Sequence, residues 1–159
     1  MTSRSATPED LYAVIRLVRP LYKALEAAVE RELAPTGIGV TQRAVLEWLL
    51  LEGPLTVPAI GRRMIAPRQF IQKIANELLD GGLIERRENQ AHKRSVLLAL
   101  TADGRTAITR ILAREAEIMK PIAGELAPDD LATARSVMTV MIDRFRASPA
   151  DSQSDGDDP

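Results

Sequence analysis

The chain has 159 residues, which suits one domain, or one domain with an attached oligomerisation element. Apolar residues make up 45% and charged residues 27%, while aromatics at 3% leave a core of Leu, Ile, Val and Ala that favours helices over a β-sandwich. The net charge is −1, cysteine is absent and His92 is the sole histidine, so disulfides, thiolate or multi-His metal sites, cysteine nucleophiles and thiol redox sensing are excluded.

Residues 1–8 are polar, lack the apolar run of a signal peptide and, like residues 148–159, read as a disordered tail. No stretch approaches the ~18 apolar residues needed to span a bilayer, so the expected address is the cytoplasm, with no membrane partner. Over residues 9–33, Leu11, Val14, Ile15, Val18, Leu21, Tyr22, Leu25 and Val29 recur at three- and four-residue steps, the pattern of an amphipathic helix. Pro20 must kink that helix or split it in two, because proline lacks a donor and clashes with the preceding turn. Pro35, Gly37 and Gly39 end it.

Thr41 is expected to cap a second helix carrying Ala44, Val45, Leu46, Trp48, Leu49 and Leu50, closed by Gly53 and Pro54. Thr56 can cap a short third helix to about Met64, with Pro58 in its first turn. Ile65 and Ala66 form a turn, and Pro67 opens a fourth helix to about Asp80, closed by Gly81 and Gly82. Leu83 to Arg86 then reads as a strand, residues 88–93 as a polar turn, and Ser95 to Leu100 as a more apolar strand. Thr101 caps a long helix with Ala107, Ile108, Ile111, Leu112, Ile118 and Met119 on one side, interrupted by Pro121, Gly124 and Pro128. A last helix from about Asp129 presents Leu131, Val137, Met138, Met141, Ile142 and Phe145. The expected class is mainly α with a small β-hairpin: a winged helix-turn-helix over residues 41–101, flanked by dimerisation helices at 9–40 and 102–147.

In such an arrangement the second helix of the pair enters the DNA major groove. Phe70, Ile71, Ile74 and Leu78 share one face of the fourth helix and are expected to pack on the third helix and the hairpin. Arg68, Gln72 and Asn76 form a row at four-residue spacing, with Gln69 and Lys73 beside it. Arginine reads guanine, and glutamine or asparagine reads adenine, through paired hydrogen bonds. The exposed N–H groups at the start of that helix also favour phosphate. The charge follows the same segment: residues 61–95 hold eight bases and four acids. The last twelve residues hold four acids and no base, and setting them aside turns the net −1 into +3. At the hairpin, Arg94 is the candidate for insertion into the minor groove, with Lys93, Arg86 and Arg87 as phosphate contacts or braces.

From Leu83 the chain runs Leu-Ile-Glu-Arg-Arg, the polar turn, His92-Lys93-Arg94-Ser95, Leu97-Leu98-Ala99-Leu100-Thr101, then Gly104-Arg105. This resembles the multiple-antibiotic-resistance regulator (MarR) family of bacterial transcription factors, over residues 10–146 and in the order of the helices. The resemblance implies an obligate homodimer with its terminal helices interleaved, bound to double-stranded DNA at a near-palindromic operator. It also implies a repressor whose affinity falls when a small aromatic or phenolic effector binds. By position, Pro67, Arg68, Gln69, Gln72 and Lys73 take the groove-reading places and Arg94 the wing-tip arginine. His92 stands where many members carry an acid. It reads either as an exposed turn residue or as a point of pH sensitivity in the wing.

Independently of the resemblance, the apolar faces of the terminal helices exceed what a small winged helix can cover, so a two-fold dimer is expected. The family's ligand pocket lies between the dimerisation helices and the DNA-binding lobe. Tyr12, Arg16, Tyr22 and Trp48 are candidates to line it, each at least as readable as core or surface and Trp48 more readily as core, and no ligand residue is assigned. Two other readings carry distinct signatures. A winged helix used for protein–protein contact predicts an apolar exposed face on the fourth helix, where this chain is polar. An enzyme is not expected, since no catalytic constellation stands out beyond scattered carboxylates, and neither a cofactor nor a metal is called for.

Overall fold

The computed structural model describes residues 5–90 and 95–147. Helix α1 (Pro8–Leu33) starts on a capping box: Thr7 Oγ1 accepts from the Asp10 N–H at 3.3 Å, and Asp10 Oδ2 accepts from the Thr7 N–H at 2.9 Å. Pro20 does not split this helix, which runs on for 26 residues. One missing donor in so long a ladder leaves the turns on either side bonded. A short 3₁₀ turn (Ala34–Thr36) and Gly37 at φ 69° redirect the chain into α2 (Val40–Glu52). The cap of α2 is Gly39 and not Thr41, because Gln42 Oε1 reaches back to the Gly39 N–H at 3.0 Å and starts the helix earlier.

Thr56 caps α3 (Val57–Met64) as its position implies, accepting from the Ala59 N–H at 3.3 Å. Helix α4 (Arg68–Asp80) closes with two glycine-dependent bonds: Gly82 N–H to Leu79 O and Leu83 N–H to Leu78 O, both 3.0 Å. Gly82 takes the left-handed conformation this ending needs, at φ 68°. Strands β1 (Ile84–Glu88) and β2 (Val96–Leu100) pair antiparallel, with Ile84 opposite Leu100 and Arg86 opposite Leu98. Leu55 joins the hairpin through a bridge to Leu98, a contact that no sequence pattern announced. Helices α5 (Ala102–Gly124) and α6 (Pro128–Arg146) follow. Helix α5 runs through Pro121, where the sequence suggested an interruption, and Pro128 occupies the first position of α6.

The chain divides into two units, Met1–Ala116 and Glu117–Pro159. The core of the first is built by Val45, Leu46 and Leu49 of α2, Ile60 of α3, Ile71, Ala75 and Leu78 of α4, the hairpin residues Ile84, Leu98 and Leu100, and Ile108 and Ile111 of α5. Ion pairs bind its helices from outside. Arg43 of α2 bonds both Glu47 and Glu115 of α5, Arg63 of α3 pairs with Glu52 of α2, and Arg114 of α5 meets Glu32 of α1 at 2.9 Å. The Arg63 contact holds the Glu52 carboxyl below its usual range.

The turn between α3 and α4 carries a strained residue. Ile65 adopts φ 50°, the one positive φ outside glycine among the described residues, and the residue is 63% exposed. A β-branched side chain in this region crowds its own backbone at a cost of about 1–2 kcal/mol. Exposure means that little packing repays that cost. Ile65→Gly is therefore expected to raise stability by about 0.5–1 kcal/mol, after the entropy that glycine adds to the unfolded chain. Chemical denaturation of the two proteins measures it, and a lower midpoint for Ile65→Gly would contradict the strain argument.

Candidate nucleic-acid interface

Helix α4 owes its placement to its buried side. Ile71, Ile74, Ala75 and Leu78 recur at three- and four-residue steps and sink into the core, so the opposite side must face solvent. Helix α3 packs against α4, and β1 follows directly from its C-terminus. At the junction Gly61 sits 3.0 Å (measured from an added Cβ) from the Ala66 carbonyl oxygen, so only a small residue lets the chain turn so tightly there.

Pro67, Arg68, Gln69, Gln72 and Lys73 are all exposed on the first two turns of α4 and the residue preceding it. Among the described residues, the side chains of Arg68, Gln69 and Lys73 make no hydrogen bond or ion pair. Their donors and acceptors are directed at solvent. Gln72 donates to Asn76 Oδ1 at 3.1 Å, which fixes two amides of the expected row in one orientation. The first turn of α4 contains no acid. The first acid on α4, Glu77, accepts from Gln42 of α2 at 2.9 Å. The N-terminal half of the helix thus keeps a positive, hydrogen-bonding surface.

One residue of the helix departs from the expectation. Phe70, which the apolar pattern assigned to the buried face, is 45% exposed. It precedes Ile71 by one residue and so lies roughly 100° round the helix from the core. Ile74 and Ala75, not Phe70, complete the buried face beside Ile71 and Leu78.

The hairpin divides its arginines. The alternation along β1 puts Arg86 on one face and Arg87 on the other. Arg87 pairs with Glu85 at 2.7 Å, so it is braced on its own strand. Arg86 is exposed on β1 opposite Leu98, which is buried in the core. Lys93 and Arg94, like His92, lie outside the described residues. At the foot of the hairpin, Thr101 accepts from the Gly104 N–H at 3.0 Å and donates to Gly82 O at 2.7 Å. That one hydroxyl caps α5 and ties it to the end of α4.

Of the side chains weighed for a ligand pocket, Tyr12, Arg16 and Tyr22 are exposed on α1, and Trp48 is half-buried against the core. A separate cleft of about 370 Å³ opens between the 3₁₀ turn and α5, with Ile38 and Ile111 as its apolar floor and Arg110 and Arg114 at its edge. Among the described residues, no helix is long and apolar enough to cross a membrane.

A tight pair of helices, the second exposing a polar basic face, followed by a two-stranded hairpin and held between further helices, is a winged helix-turn-helix. Comparison with known proteins narrows the class. Residues 36–95 match the family model described as "MarR family". The crystal structure of the MarR family transcription regulator SP03579 is 35% identical to this chain, with a TM-score of 0.74 over 87% of this chain and 91% of that one. An uncharacterized protein of Mycobacterium tuberculosis is 36% identical over 104 residues, 63% of this chain and 73% of that protein. A mutant MarR from E. coli, solved complexed with operator DNA, shares the fold at 19% identity, with a TM-score of 0.70 over 86% of this chain and 99% of that one. The chain belongs to the MarR family of transcription regulators.

Proposed function

We propose that this chain acts in the cytoplasm as a homodimeric repressor that binds a near-palindromic operator in double-stranded DNA and is released by a small aromatic or phenolic ligand. The observation that carries the reading is the start of α4, where Arg68, Gln69 and Lys73 stand exposed with their hydrogen-bonding groups unengaged. On an ordinary solvated helix such groups pair with acids one turn away; here Arg68 and Gln69 have no acid at that spacing, and Glu77, one turn from Lys73, accepts instead from Gln42 of α2. Arg68, Gln69 and Gln72 contact base edges, Pro67 sets the start of the helix, and Lys73 and Arg86 contact phosphate. Arg94 enters the minor groove and Lys93 meets the backbone beside it. The operator bound to the E. coli relative lends the partner its chemical class.

Two further observations support the dimer and the ligand. Leu11, Val14, Val18, Leu21 and Leu25 form an exposed apolar row along α1, and Leu131, Val137, Met138, Ile142 and Phe145 are exposed on α6. Rows of this length on single chains call for a second copy. The cleft beside Arg110 and Arg114 offers apolar walls with the Arg110 guanidinium at one edge, next to the Arg114–Glu32 pair, a fit for a ring bearing an acidic oxygen.

A mobility-shift titration on duplexes selected from a random pool, and on the DNA upstream of the gene, tests the reading at several salt concentrations. Tight binding with a steep salt slope is expected, because each phosphate contact releases counterions. Lys73→Ala or Arg86→Ala should weaken every duplex alike and flatten the slope by about one unit each. Arg68→Ala or Gln69→Ala should instead relax sequence preference, by about 1–3 kcal/mol per base contact. Equal affinity for all duplexes would reduce the function to nonspecific binding.

A further inference from the structure

We propose that Phe70 is a specificity-determining residue that reads the C5-methyl group of a thymine in each half of the operator. The inference rests on α4 being the helix that enters the major groove. Within the exposed arc of its first two turns, Gln72, Gln69, Lys73 and Phe70 follow one another round the helix, and Phe70 is the one apolar side chain among them. It contributes no face to the core, which Ile71, Ile74, Ala75 and Leu78 already fill. Whatever docks on this arc must accommodate an apolar ring and also satisfy its polar neighbours. An apolar protein surface would bury Gln69 and Lys73 without partners, at a cost that one ring does not offset.

The major groove meets both needs. Adenine presents N6 and N7 to an amide, guanine O6 and N7 to a cation, and thymine the one apolar group among the four bases, its methyl. Phenylalanine brings a rigid ring with only two side-chain torsions to order, so little entropy opposes the contact. Gln69 or Gln72 on an adenine and Phe70 on a thymine methyl together specify an A·T step, which the polar residues alone leave less defined.

The test replaces thymine by deoxyuridine, one position at a time, in the duplex selected as the best binder. This removes the methyl and leaves base pairing unchanged. For the unaltered protein, one symmetric pair of positions should cost about 4-fold in affinity per half-site, the value of one methyl withdrawn from an apolar contact, and about 15-fold when both halves are changed. Phe70→Ala should bind the thymine and deoxyuridine duplexes equally while its thermal melt still shows a folded protein, and Phe70→Leu should retain part of the preference. Indifference of the unaltered protein to deoxyuridine at every position would overturn the proposal. So would a Phe70→Ala protein that keeps the full preference. If selection yields no preferred duplex at all, the DNA-reading role of α4 fails first, and that result is distinct from either of these.

Discussion

Gly104→Ala should destabilise the protein by about 3–5 kcal/mol, enough to leave much of it unfolded at physiological temperature. A Cβ at position 104 would stand 1.8 Å from the Leu83 carbonyl oxygen and 2.8 Å from its carbonyl carbon. Neither is the movable end of a side chain. That carbonyl also accepts from the Thr101 N–H at 3.1 Å, so backing away breaks the joint between the hairpin and α5. Gly124, in the same helix, has nothing within 4 Å of its added Cβ. Gly124→Ala should therefore be neutral or slightly stabilising, by up to about 0.5–1 kcal/mol. Thermal melts of the two variants side by side separate a steric requirement from the generic effect of glycine in a helix; equal melting temperatures would refute the close approach.

Arg43→Met carries the second large effect, a loss of about 2–3 kcal/mol. Arg43 is 15% exposed and Glu115 13%, and Arg43 Nε donates to Glu115 Oε1 at 2.9 Å while its other nitrogens engage Glu47 and Glu115. Burial opposes the charge on Arg43, but the hydrogen bonds from Glu115 and Glu47 outweigh it and hold the guanidinium above its ordinary pKa. Removing it strands the Glu115 carboxylate in a largely desolvated place between α2 and α5. The figure lies below that of a fully buried pair because Glu47 remains a third exposed to water. Arg43→Met combined with Glu115→Leu should recover most of the loss, since the apolar pair has no charge left to desolvate. A double variant no more stable than Arg43→Met would show that the arginine acts by packing alone. The same comparison has a functional readout: α2 supports α4 through Gln42 and Glu77, so loosening α2 from α5 should weaken DNA binding more than it lowers the melting temperature.

Much of the architecture was legible because local chemistry and global fold agree. Thr56 and Thr101 sit where caps are needed, Gly81 and Gly82 end α4, and the switch from helical to alternating periodicity at Leu83 marks the hairpin. The prolines misled for one reason. Pro20 and Pro121 each delete one donor, but long helices tolerate this when the remaining turns are bonded, and sequence rules price the proline without its surroundings. Thr41 looked like a cap because its residue type is right; the competing reach of Gln42 to Gly39 decided otherwise.

The candidate interface shows the same division. Residue types alone chose Arg68, Gln69, Gln72 and Lys73, since hydrogen-bonding side chains at helical spacing next to a turn carry their chemistry wherever they fold. Phe70 was misplaced because an apolar residue next to an apolar stripe reads as part of it, and only the angle at which α4 lies on the core leaves the ring outside. Arg86 and Arg87 were likewise equivalent as neighbours until the strand register put them on opposite faces and Glu85 took the second.

By itself, then, the sequence determined a winged helix-turn-helix whose fourth helix opens on a basic, amide-bearing half, because periodicity, caps and charge are local properties; the likeness to the MarR family came from the hairpin motif. The tertiary structure alone decided that Gly104 must have no side chain, that Arg43 bolts α2 to α5, and that Phe70 is exposed. Each of those depends on a distance between segments far apart in the chain, and no local pattern encodes it.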